Sequence, residues 1–212
     1  MIDVTVVENE ILSSLIGEYD NALSAFICAP YNIQNIYSYP IYLCRLFKTI
    51  DQSQLHELKK RIAYNRELEK KLEQQGYDNS VLHKNHPKQV LERITELLMS
   101  DNKKTKKLFE LLSENSENGI KTLVIANNDD AAFIQETAAD AGLKSFSTIR
   151  YSQIDWFFKE AEPDEYFILD YSLEGFNDFL KYHNYDFPIN LILYRQEKEV
   201  LDSFFKKYQR EL

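Results

Sequence analysis

The sequence predicts an α/β protein, with an α-helical region over residues 1–118 and a small three-layer domain over residues 119–212 built on a mainly parallel, four-stranded sheet. Two observations lead there. Between Lys121 and Arg195, four short segments rich in β-branched and aromatic residues alternate with stretches of helix-like spacing, the mark of repeated βα units. Ahead of Lys121, apolar residues recur mostly three or four apart, which is the period of an amphipathic helix.

The helical region divides at its turn formers. Met1 to Val7 is short and β-branched, a candidate for an extra strand. Glu8 to Ala29 carries Ile11, Leu12, Leu15, Ile16, Tyr19, Leu23, Phe26 and Ile27 at helical spacing, and Pro30 stops it. An aromatic helix is expected from about Tyr39 to Ile50, with Pro40 in its first turn, where a missing N–H is harmless. Asp51, or Ser53 in its place, caps a third helix. Its apolar stripe of Leu55, Leu58, Ile62, Leu68 and Leu72 is narrow, and the rest of its surface interleaves Lys and Arg with Glu. Pro87 opens a fourth helix along Val90, Leu91, Ile94, Leu97 and Leu98. The pair Asp101-Asn102 is a weak helix interior, so this helix either runs on to Leu112 or breaks there into two. Ser113 to Gly119 is polar and turn-forming and marks the expected domain boundary. Beyond it the expected strands are Thr122 to Ala126, Ser145 to Ile149, Tyr166 to Asp170 and Ile189 to Tyr194.

Composition narrows the function. Hydrophobic residues at 44% and charged ones at 28% fit a soluble globular protein. There is no apolar run near twenty residues and no charged-then-apolar leader, and Cys28 and Cys44 are the only cysteines. The expectation is a cytoplasmic, reduced protein with no membrane contact. Most of the acidic excess resides in residues 120–212, which hold 10 Lys and Arg against 17 Asp and Glu. That imbalance disfavours nonspecific phosphate binding there, while residues 1–119, with 15 against 17, can still present a basic face. Five glycines leave little room for phosphate-cradling loops, and no Gly-x-x-x-x-Gly-Lys-Ser/Thr occurs.

Ligands of parallel α/β sheets bind beyond the carboxyl ends of the strands, so the residues that follow each strand are the ones to weigh. Asp129 and Asp130 follow the first of the four strands and Asp170 ends the third. Three such carboxylates offer the hard oxygens that Mg²⁺ takes. The competing role for Asp129 or Asp130 is to cap the helix through Phe133, Ile134 and Thr137. Lys103, Lys104, Lys106 and Lys107 are the most basic cluster, to be read either as a solvated helix face or as a nucleic-acid contact. Fourteen tyrosines and thirteen phenylalanines are many for a small core. Their crowding at Tyr31, Tyr37, Tyr39, Tyr42 and Phe47 is read as a partner or homo-oligomer face, since tyrosine buries a large ring while keeping a hydrogen bond.

Two resemblances concern roughly the last hundred residues. The order strand, acidic pair Asp129-Asp130, helix, strand, helix, strand ending at Asp170 resembles a response-regulator receiver domain. The resemblance implies Mg²⁺ at the pair and phosphorylation at Asp170. Tyr194 and Arg195 replace the family's Ser or Thr after the fourth strand, and no later strand supplies its lysine. The lead-in Lys106 to Glu114 followed by Gly119-Ile120-Lys121-Thr122-Leu123-Val124-Ile125-Ala126 is similar to the start of the second RecA-like domain of superfamily helicases, without that family's ATPase motifs. Either resemblance implies a degenerate domain. The reading that follows is a non-catalytic intracellular binding or regulatory module acting through protein contacts. Its alternatives are a Mg²⁺-dependent phosphoryl or phosphodiester enzyme at the acidic edge, and a nucleic-acid-binding accessory subunit. No cofactor other than Mg²⁺ is expected.

Overall fold

The computed structural model describes residues 2–24, 46, 47, 49–64, 87–150, 153, 163–169 and 188–208. The chain forms two compact units, one of residues 1–8 together with 103–212 and the other of residues 9–102. Among the described residues the first holds a sheet of five strands, β1 (Ile2–Val7), β2 (Thr122–Ala126), β3 (Phe146–Arg150), β4 (Glu165–Ile168) and β5 (Ile189–Tyr194). They lie in the order β3-β2-β4-β5-β1, and every neighbouring pair is parallel. The four strands expected from the apolar segments are all present. The fifth is β1, whose β-branched residues add it to the outer side of β5 in the register Ile2 to Ile189 through Val7 to Tyr194. That register is pinned by a polar pair, the Thr5 hydroxyl donating to Asn190 Oδ1 at 2.8 Å.

Helices cover the sheet on both faces. Leu123, Ile125, Ile149, Tyr166, Ile168 and Leu191 form one buried layer with Leu201 of α6 (Arg195–Tyr208). Strand residues alternate sides, so Thr122 and Val124 belong to the opposite layer. There the Asn115 amide of α4 (Lys103–Asn118) donates to Thr122 Oγ1 and to the Glu165 carboxylate. Phe109 of α4 meets Phe133 of α5 (Asn128–Asp140) edge to face, with centroids 6.4 Å apart, so these two helices are neighbours. All five residues of β2 are buried, as a central strand covered on both faces requires. Each fully buried Leu or Ile in these layers contributes about 1.5–3 kcal/mol. Burial also pushes the Tyr166 phenol up to about 12.

The unit boundary falls at residues 102 and 103, where the sequence places it at 118 and 119. The polar stretch that reads as a linker is instead the end of α4, whose Leu108 and Leu112 are buried. Gly119, at φ 70°, ends α4 in a left-handed turn, with Gly119 N–H donating to Ser116 O and Ile120 N–H to Asn115 O. Gly142, at φ 68°, ends α5 with the same pair of bonds, to Ala139 O and, from Leu143 N–H, to Ala138 O. In both cases the glycine supplies a conformation that a Cβ opposes.

The second unit contains α1 (Glu10–Ser24), α2 (Gln52–Tyr64) and α3 (Pro87–Ser100). α3 packs against both others through Val90, Leu91, Ile94 and Leu98, all buried. Asn9 caps α1, its side chain accepting from Leu12 N–H at 3.1 Å. Asp51 caps α2 through Ser53 N–H, as its position predicts. The weak interior at Asp101-Asn102 is a true break between α3 and α4. The pairs Lys59–Glu96 and Arg93–Glu18 link helices in solvent and contribute no more than about 1 kcal/mol each. No helix among the described residues is long and apolar enough to cross a membrane.

Candidate functional site at the carboxyl edge of the sheet

With all strands parallel, their carboxyl ends share one edge. The order reverses direction between β2 and β4, because β3 lies to one side of β2 and β4, β5 and β1 lie to the other. That is the topological switch at which open α/β sheets bind ligands. Helices α5 and α6 begin at this edge, since each follows a strand directly. The start of α4 is there too, since Lys104 reaches the ends of both β4 and β5.

After β2, Asn127 is the N-cap of α5. Its side-chain oxygen accepts from Asp129 N–H at 3.1 Å and Asp130 N–H at 2.9 Å. The Asn127 amide in turn donates to Asp130 Oδ2 at 2.6 Å. Asp130 is 1% exposed, a buried carboxylate held inside a reciprocal cap. Asp129 is exposed. Asp170, the third expected ligand, lies outside the described residues. Among the described residues no group of three or more His, Cys, Asp or Glu is arranged to hold a metal.

The centre of charge at this edge is a pair that sequence reasoning missed. The Lys104 ammonium is wholly buried and donates to Glu197 Oε1 at 3.0 Å, Glu197 Oε2 at 2.9 Å and Leu169 O at 3.0 Å. Those acceptors match the three donors an ammonium has. Glu197, 1% exposed, occupies the first turn of α6 and also accepts Tyr194 N–H at 2.8 Å, the backward bond of a capping box. Tyr194 holds α4 in addition. Its hydroxyl accepts Lys104 N–H at 3.4 Å, and its ring centre lies 5.7 Å from Lys104 Nζ. A lysine in the first turn of a helix is opposed by the helix dipole, whereas a glutamate there is favoured. Glu197 therefore offsets the unfavourable charge of α4 while completing α6.

The four lysines consequently do not form one patch. Lys103 and Lys106 are exposed, Lys107 pairs with Glu110 at 3.2 Å, and Lys104 points inward. The expectation of a single solvent-facing cluster is corrected at Lys104, and the signal was present in the sequence. Lys104 precedes Leu108 by four residues and Leu112 by eight, so it shares their buried stripe. In the aromatic cluster, Phe47 is buried within the chain at 1% exposure, which removes it from any outward face. Tyr31, Tyr37, Tyr39 and Tyr42 lie outside the described residues. Comparison with family models, with characterised proteins and with solved structures returned no match.

Proposed function

We propose that the chain is a non-catalytic intracellular binding or regulatory module that acts through protein contacts, with a sheet unit on a degenerate helicase-second-domain-like or receiver-like plan. The observation that carries this reading is the internal use of charge at the carboxyl edge. Lys104 is committed to Glu197, and Asp130 to Asn127. Groups held this way stabilise loops and helix starts, whereas a catalytic acid, base or metal ligand must face its substrate. The strand order adds support. Five parallel strands in the order 2-1-3-4-5 characterise one common doubly wound plan. Here β2, β3, β4 and β5 occupy its first four places, and β1 takes the fifth. The partner face in this proposal is the tyrosine-rich stretch around Tyr31, Tyr37, Tyr39 and Tyr42, and the partner is another protein or a second copy of the chain.

Two measurements test the reading together. A thermal melt with millimolar Mg²⁺ is expected to match the metal-free melt, for the wild type and for Asp129→Asn alike, because a ligand that binds only the folded state raises the midpoint by mass action. A rise lost in the variant would establish the acidic edge as a metal site and end the non-catalytic reading. Light scattering of Tyr39→Ser with Tyr42→Ser is expected to show a smaller assembly than the wild type, and an unchanged mass would remove self-association through this face.

A further inference from the structure

Two connections join the sheet unit to residues 9–102, one leaving after Glu8 and one returning at Lys103. On the sheet unit both are held by the same short stretch, the end of β5 and the first turn of α6. On the departing side, Val7 is the register partner of Tyr194. The next residue, Glu8, receives Arg195 through Oε1, at 2.6 Å from Nη2 and 3.0 Å from Nε. On the returning side, Lys104 N–H donates to the Tyr194 hydroxyl, and the Lys104 ammonium is bound by Glu197. Arg195 and Glu197 are of opposite sign, two residues apart in one helical turn, and each pairs with the opposite charge beside one connection.

We propose that Tyr194, Arg195 and Glu197 form a double clamp on the two connections, so that these loosen together and not one at a time. Coupling runs through Tyr194. Its backbone N–H is fixed by Glu197, its strand partner is Val7, and its hydroxyl holds the start of α4. Moving either connection displaces the turn that holds the other. The clamp lies wholly within the sheet unit and depends neither on the partner nor on the non-catalytic reading.

Hydrogen exchange of the full chain tests it, read on peptides spanning residues 4–12, 101–108 and, as a control at the far edge of the sheet, 145–150. Arg195→Glu sets like charges against each other at Glu8 yet leaves α6 with a favourable acidic first residue, so loosening cannot come from a weakened helix. The Arg195–Glu8 pair is exposed at 59% and 54%, so its loss accelerates exchange by up to about five-fold. The clamp predicts that acceleration in both connection peptides, none in the control, and its reversal by the swap Arg195→Glu with Glu8→Arg. Acceleration confined to residues 4–12 would make the pair a local contact and overturn the clamp. The clamp is equally overturned if neither connection responds, if the control accelerates as much, or if the swap restores nothing.

Discussion

Replacing Lys104 with methionine removes the buried ammonium and leaves the Glu197 carboxylate enclosed, still accepting from Tyr194 N–H. At 2.9 Å and an effective dielectric near 20, the lost attraction is about 6 kcal/mol. Withdrawing both charges from water offsets several kcal/mol for each ion, so the intact pair is worth little net. The single variant is a different case, because the buried carboxylate loses the ammonium that neutralises it. Its cost is about 3–5 kcal/mol, a large share of a domain stability of about 5–15 kcal/mol. The sheet unit's melting point should fall by roughly 10–25 °C at about 3–5 °C per kcal/mol. Adding Glu197→Gln removes the enclosed charge and keeps an acceptor for Tyr194 N–H, so the double variant should recover at least about 2 kcal/mol. Urea unfolding followed by far-UV circular dichroism, in a four-member cycle, measures each term. A Lys104→Met cost below about 1 kcal/mol, or a double variant as weak as the sum of the singles, would refute the reasoning.

Other expectations rest on local chemistry. Tyr166 is 2% exposed and its phenol is raised to about 12, while an unfolded tyrosine titrates near 10. The folded state therefore holds this proton more tightly, so its contribution is complete below pH 10 and is lost as pH rises towards 12. The loss is on the order of 2 kcal/mol, and Tyr166→Phe should flatten stability against pH between 10 and 11.5. Asn127→Ala removes the cap of two backbone N–H groups and the donor to Asp130; a loss of about 1–2 kcal/mol is expected by chemical denaturation. Gly142→Ala meets open space, with no heavy atom within 4 Å of the added Cβ, so its cost of about 1 kcal/mol isolates the left-handed backbone. A neutral result would place that residue's preference elsewhere.

The strands were legible because each is a short apolar run bounded by turn formers. β2 and β5 carry the residue limits that their sequences indicate. The fifth strand was visible only as a possibility. Ile2 to Val7 is β-branched, but its partner lies near residue 190, and local pattern says nothing about pairing across that separation. The misplaced boundary has a similar origin. Ser113 to Gly119 has a linker's composition, yet polar residues also line the solvent side of a last helical turn, and only burial of Leu108 and Leu112 distinguishes the two. Asp130 was legible as a cap or a ligand, but the cap is Asn127, and Asp130 lies in the first turn, where it accepts the Asn127 amide. Lys104 reads wrongly when charge is weighed before helical phase. Its counter-ion is 93 residues away, beyond any spacing rule.

The place of β1 in the sheet also sets a schedule for synthesis. Among the described residues its strand neighbour is β5, so Ile2 cannot find Ile189 until the residues through β5 have left the ribosome. Contacts that close so long a loop are slow to form. In the meantime residues 9–102 already contain the partners of their own helices, and domains of growing chains fold as units. The helical unit is thus expected to form first. Of the described strands, β1 is made before the partner it needs and is paired after the others are available, and for that interval its β-branched edge is open to other chains. Slower elongation near residue 190 should lengthen that exposure and raise the yield of aggregate, whereas a chaperone that shields β1 should lower it.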